Sequence, residues 1–173
     1  MTEWDGLGEA FLVGVNYWPR RKAMYWWKDF QRSEVEEEFQ QITDLNLPLV
    51  RIFLLWEDFQ PAPQEIDAHS LDNLEVVLEI AARLGLRVMP TLFTGHMSGA
   101  NWIPSWALGG ERISDSRFPL ISAGEIKEAG IRDIFEDELM LVAEAFQIRS
   151  VVSALKDTPL SSPGTWPMRW TTF

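Results

Sequence analysis

The chain has 173 residues, a size at which one hydrophobic core suffices, and its 46% hydrophobic and 24% charged residues are those of a globular protein. It has no cysteine, which excludes disulfides and thiolate metal sites, and a net charge of -11, which opposes nucleic acid backbones and anionic lipid surfaces and suits a neutral ligand. No apolar run approaches a membrane span, and the opening "MTEWDGLGEAFLVGV" lacks a basic region followed by a long apolar core, so no membrane anchor or signal peptide is expected and a cytoplasmic location is the default.

The first predicted element is a strand, "FLVGV" at 11 to 15. Val35, Phe39 and Ile42 then recur at helical spacing, with Ser33 and Glu36 in a capping-box pattern and Pro48 barring continuation, which predicts an amphipathic helix. A second strand, "LVRIFLL" at 49 to 55, is almost continuously apolar, as a strand buried on both faces should be. Leu71, Leu74, Leu78 and Ala81 line one face of a second helix, with Ser70 as its cap and Gly85 at the left-handed position past its end. A third strand, "LRVMPTLF", occupies 86 to 93. Strand starts at 11, 49 and 86 lie 38 and 37 residues apart, so a strand and helix unit repeats, and such alternation predicts a parallel sheet.

A long loop follows, "TGHMSGANWIPSWALGGERISDSRFPLISAGE". Loops of that length in compact domains usually carry function. A third helix is expected from about Ile131 to Lys156, with Phe135, Leu139, Val142 and Phe146 on one face. Asp133, Glu136, Asp137 and Glu138 near its start and Arg149 and Lys156 near its end complement the helix dipole.

In α/β architectures ligands sit just beyond the carboxyl ends of the strands. Strand one runs into Asn16, Tyr17, Trp18 and Pro19; strand two contains Arg51 and ends at Trp56, Glu57 and Asp58; strand three leads to His96, with Asn101, Trp102 and Trp106 in its loop. Arg51 within an apolar strand needs a carboxylate or several carbonyls as partners. His96 reads either as a solvated loop histidine or as a site residue, and His69 as a surface residue. Glu57 and Asp58, adjacent in an extended segment, should point in opposite directions and make a poor acid/base pair. "EVEEEF" is the solvated face of a helix. The nine tryptophans serve the core or make flat platforms for sugar rings, and the pair Trp26 and Trp27 fits either an outer platform or a lid. There is no phosphate loop, dinucleotide fingerprint, Ser/His/Asp order or metal-ligand spacing, so no cofactor or metal is expected.

At "FLVGVNYWP", "LPLVRIFLLWEDFQP", "LRVMPTLFTGH" and the helix ending "SVVSALKD", the chain resembles the cellulase and β-mannanase-like glycoside hydrolases of the (β/α)8 clan that use two glutamates. The resemblance covers about residues 11 to 157. It implies an α/β fold, an incomplete TIM (β/α)8 barrel holding about the first three βα units, followed by an irregular C-terminal tail. It also implies a β-linked oligosaccharide or polysaccharide as ligand. Arg51 matches the arginine that supports the nucleophile in that family, and His96 matches a histidine lining the sugar subsite. Asn16, Trp18, Trp56 and Trp102 match cleft residues by position.

The family chemistry is retaining hydrolysis, with two carboxyl groups roughly 5 Å apart. Its acid/base glutamate follows an asparagine at the end of strand four and its nucleophile ends strand seven, and this sequence has neither. Where strand four should follow, the chain reads "TPLSSPGTWPMRWTTF". Read one base earlier from Asp157, permitted codons spell "HPAVIAWDLANEMDN", which restores a strand and an asparagine-glutamate pair. The single codons of Trp166, Met168 and Trp170 leave little freedom there. The expectation is therefore a barrel part at 1–157 and a frameshifted, non-native tail at 158–173, with no catalytic residue in the chain, which is expected to be inactive. Three units leave open sheet edges that favour self-association. A sugar-binding pseudoenzyme and a non-functional product are the rival readings.

Overall fold

The computed structural model describes residues 12–109 and 117–156. A parallel sheet forms from β1 (Gly14–Asn16), β2 (Leu49–Leu55) and β3 (Arg87–Thr94), in that order, with β2 at its centre. Helix α1 (Arg32–Asp44) connects the first two strands; the single turn α2 (Trp56–Phe59) and helix α3 (Ala68–Arg83) connect the second and third. The parallel α/β alternation read from the sequence is therefore present.

The two-residue period of the strands divides the sheet into two faces. Val50, Ile52 and Leu54 are fully buried, and on the same side Tyr17 packs edge-on against Phe39 of α1 at 4.9 Å between ring centroids. Burying a side chain such as Phe39 or Leu74 contributes about 1.5 to 3 kcal/mol each. The opposite face carries Asn16, Trp18, Arg51, Phe53 and Thr91: Asn16 is in register with Arg51, Trp18 stacks on Phe53, and Arg51 reaches Thr91. Gly14 is required where β1 meets β2, because a Cβ there would lie 2.7 Å from the Leu49 carbonyl oxygen.

Several boundaries differ from expectation. The first strand is shorter than predicted and its end moves to Asn16; Phe11 lies outside the described residues. Helix α1 begins one residue before Ser33, its N-cap Gln31 makes no side-chain capping bond, and Glu36 binds Arg32 and Arg83 instead of closing a capping box. The cap of α3 is Asp67, whose carboxylate accepts from the Ser70 amide at 2.7 Å; the Ser70 hydroxyl donates instead to the Asp58 carbonyl. Gly85 does take the left-handed conformation, with φ of 71°.

The long segment after β3 is not a simple loop. It forms a second sheet of β4 (His96–Met97), β5 (Ala100–Trp102), β6 (Leu120–Ser122) and β7 (Glu125–Lys127), in that order. Residues 110–116 within it lie outside the described residues.

The last helix, α4 (Glu138–Leu155), starts seven residues later than predicted. Asp133 and Asp137 hold the preceding segment in turns: Asp133 accepts from the amides of Phe135 and Glu136, and Asp137 caps the helix by accepting from Leu139 and Met140. Its buried face is also not the predicted one. Met140, Ala143, Gln147, Val151 and Leu155 face inward, whereas Leu139 and Val142, like Phe135 before the helix, are exposed and Phe146 is half-buried. The helix has apolar residues on two sides, so periodicity alone did not choose between them.

Candidate functional site

The inner face of the sheet and the loops beyond its carboxyl ends hold most of the residues singled out in the sequence. Arg51 donates from Nε to the Thr91 hydroxyl at 2.7 Å, and its guanidinium lies over the Phe53 ring at 4.8 Å. Phe53 also receives Trp18, stacked at 4.5 Å with planes 5° apart. Trp18 and Arg51 are thus fixed through one buried ring, and each stays half-exposed. Asn16 is exposed beside them.

The end of β3 turns sharply toward the rim. The strand register shifts between Phe53 and Leu55, and Phe93 adopts a left-handed φ of 51° although it is buried against Trp56. Strained backbone of this kind persists only where packing overdetermines it. The chain then presents His96, whose Nδ1 pairs with the Asn101 Oδ1 at 2.8 Å across the β4–β5 pairing, and whose ring meets Phe118 edge-on at 4.6 Å. His96 is exposed and held in place, which is what a binding residue needs.

Two of the expected cleft tryptophans serve another purpose. Trp56 is only 1% exposed, its indole N–H donates to Gln60 Oε1 at 2.7 Å, and its ring packs on Phe93 and Trp106. Trp102 is buried too, donating to the Met97 carbonyl at 3.0 Å. Both are packed against neighbouring rings and leave little surface for a ligand. Trp26 and Trp27 are likewise buried, with Trp27 donating to the Phe53 carbonyl at 2.7 Å, so the outer-platform reading of that pair is corrected to packing beneath the inner face. His69 is on the surface, as expected.

Sequence reasoning missed three features. Gln60 is completely buried and fully used: it accepts from Trp56, and its amide donates to the carbonyls of Pro63 and Ala143, each at 2.8 Å. Thr91, the partner of Arg51, carried no signal in an apolar strand. Glu57 and Asp58 do not diverge, because they lie on the helical turn α2 instead of in extended chain. Both reach Lys28, at 3.7 and 3.0 Å, and Glu57 also accepts from the Ala123 amide in the β6–β7 turn at 2.8 Å. Burial pushes the Asp58 carboxyl up from 3.8 to about 6, against the pull of the Lys28 ammonium. This cluster ties the loops after β1, β2 and β3 together.

Among the described residues, no group of histidine and carboxylate side chains is arranged to hold a metal ion, and no helix is long and apolar enough to cross a membrane.

The described core is a parallel α/β sheet with polar and aromatic residues at and beyond its strand ends, the end at which α/β barrels place their ligands. Its structural neighbours are family 5 glycoside hydrolases, to which the chain is similar over part of their length. The exo-β-1,4-mannosidase Op5Man5 from Opitutaceae bacterium strain TAV5 is 30% identical with a TM-score of 0.67, over 84% of this chain and 22% of that one. GH5_18 from Streptomyces cattleya, in complex with GlcNAc, is 26% identical with a TM-score of 0.69, over 86% of this chain and 31% of that one. A glutamate-to-alanine variant of the same protein, in complex with Manβ1-4GlcNAc, is 25% identical with a TM-score of 0.70, over 87% and 32%. The chain therefore spans about a third or less of the length of these neighbours. No protein-family model and no curated protein sequence matches it.

Proposed function

We propose that this chain is the N-terminal part of a retaining (β/α)8 glycoside hydrolase acting on β-linked glycan, that it retains the sugar-binding side of the cleft, and that it is inactive as sequenced. The observation that carries the reading is the placing of Asn16, Trp18 and Arg51 together on the inner face, with the exposed His96–Asn101 pair in the segment that follows β3. Flat indole and fixed polar groups side by side suit a pyranose, which has an apolar ring face and hydroxyl edges. Trp18 would take a sugar face, Arg51 and Asn16 the hydroxyls below it, and His96 a hydroxyl at the rim. The complexes of similar proteins with GlcNAc and Manβ1-4GlcNAc support a β-mannoside ligand.

Inactivity rests on chemistry. Retaining hydrolysis needs two carboxyl groups about 5 to 5.5 Å apart across the scissile bond. Among the described residues, the inner-face positions of β1, β2 and β3 carry no carboxylate, and the rim acids Glu57 and Asp58 are engaged with Lys28. Residues 158–173, where the frameshift is proposed, lie outside the described residues. Reading about three βα units as a barrel portion also leaves strand edges open, and with the exposed apolar residues of α4 this supports self-association.

The test is an affinity electrophoresis gel cast with soluble β-mannan, paired with a reducing-sugar assay on the same substrate. Retarded migration without sugar release is expected. Release at enzyme-like rates would contradict inactivity, and unretarded migration would favour a non-functional product over a sugar-binding one. The gene's nucleotide sequence decides the frameshift, since codons at Gly164, Thr165 or Arg169 that do not spell the restored phrase would exclude it.

A further inference from the structure

Helix α4 is apolar on more than the side it buries. Met140, Ala143, Gln147, Val151 and Leu155 form its inward face. Away from that face Leu139, Leu141 and Val142 are 36%, 46% and 46% exposed, and Ala145, Phe146 and Ile148 are half-buried. A helix that is apolar nearly all round is normally packed on both sides.

At 3.6 residues per turn, the line pointing directly away from the buried face runs through Glu138, Val142, Ala145 and Arg149. Leu139 and Phe146 flank this line on one side, Leu141 and Ile148 on the other. Glu138 and Arg149 are exposed, and among the described residues neither has an ion-pair partner.

This arrangement is self-complementary. Glu138 and Arg149 lie equally far from the peptide bond between Ala143 and Glu144, and so do Val142 and Ala145. A two-fold axis through that bond lays a second α4 antiparallel on the first, so that each contact occurs twice. Glu138 of each copy then meets Arg149 of the other, and Val142 meets the small Ala145, which lets the helices approach closely. The rotation keeps each flank on its own side, so Leu139 packs beside Phe146 of the second copy and Leu141 beside Ile148. Antiparallel packing also sets the amino end of each helix dipole beside the carboxyl end of the other. The net charge of -11 keeps copies of this chain apart in general, whereas this line carries one charge of each sign.

We propose that α4 is a dimer interface, packed antiparallel on α4 of a second copy about a two-fold axis between Ala143 and Glu144. This rests on the self-association proposed above and assigns it one surface and one stoichiometry; the sugar cleft, on the inner face of the sheet, takes no part in it.

The test is sedimentation velocity over a concentration series with the natural chain, Glu138→Arg, Arg149→Glu and an equimolar mixture of the two variants, each variant checked for unchanged urea unfolding. The natural chain should show a monomer–dimer equilibrium at micromolar concentration, as suits an interface of one helix face. Each variant alone should dimerise at least about tenfold more weakly, because both charge contacts become repulsive. The mixture should recover the dimer, because both contacts again join opposite charges. A natural chain that stays monomeric throughout, so that another segment or partner covers α4, would overturn the proposal. Assembly beyond the dimer would overturn it in favour of open strand edges, and so would a dimer indifferent to both variants. A mixture that fails to recover the dimer would overturn the register. Sugar binding is read separately, by titrating the same samples with β-1,4-mannobiose, so failure of the cleft and failure of the dimer are told apart.

Discussion

Replacing Asp58 by asparagine should stabilise the protein at neutral pH. The carboxyl is almost wholly buried, among the described residues its counter-charge is the Lys28 ammonium, and Glu57 and Asp67 add further negative charge near it. Its folded value of about 6 lies above its ordinary 3.8, so between those values the folded chain holds more protons than the unfolded one. Stability from this group is therefore greatest below pH 3.8 and falls as pH rises toward about 6, where the full cost of the buried charge is reached. That cost is about 3 kcal/mol, at about 1.4 kcal/mol per pKa unit. Asparagine keeps the shape and removes the charge, and the Lys28 it leaves is mostly solvated, so a net gain of about 1 to 3 kcal/mol at pH 7 is expected. Urea unfolding of both proteins at intervals from pH 4 to pH 8 measures it. The difference should grow with pH and level off above about 6. Lys28→Met should do the reverse, lowering stability at pH 7 by leaving the buried carboxylate unpaired. A constant difference across the series, or a loss in Asp58→Asn at pH 7, would refute the reasoning.

Gln60→Ala strands the Trp56 indole and the Pro63 and Ala143 carbonyls, and should cost about 3 to 5 kcal/mol in urea unfolding. Gly14→Ala forces a Cβ against the Leu49 carbonyl and should cost about 1 to 3 kcal/mol by the same measurement. Thr91→Val removes the hydroxyl that accepts from Arg51 Nε and should weaken mannobiose binding several-fold in calorimetry while changing stability by about 1 kcal/mol or less. Dilution in an analytical ultracentrifuge should reveal concentration-dependent association, reduced by replacing exposed Leu139 and Val142 with polar residues.

The parallel sheet was legible in the sequence because fully buried strands leave nearly unbroken apolar runs, and β2 matches its predicted limits at both ends. That Asn16, Trp18 and His96 lie at or beyond the carboxyl ends of β1 and β3, with Arg51 within β2 in register with Asn16, was legible because parallel strands all end on one side. What failed did so for local reasons. Neither predicted cap formed, because Asp67 and Gln31 precede the residues that looked like caps, and capping is decided by where tertiary contacts start the helix. The placement of Glu57 and Asp58 failed because a single turn of helix after β2 reversed the alternation assumed for them. The burial of Trp56 and Trp102 was hidden because an indole looks the same in sequence whether its ring faces solvent or a neighbour. Gln60 left no trace, since its role depends on Ala143, 83 residues away.

The central claim, that this rim binds β-linked sugar, is tested most directly by titrating the purified chain with Manβ1-4GlcNAc and following tryptophan fluorescence in the natural protein and in Trp18→Ala. Trp18 is the half-exposed indole on the inner face, so a saturable change in the natural protein that disappears in the variant is expected. No saturable change up to millimolar sugar in a protein that unfolds cooperatively would contradict it.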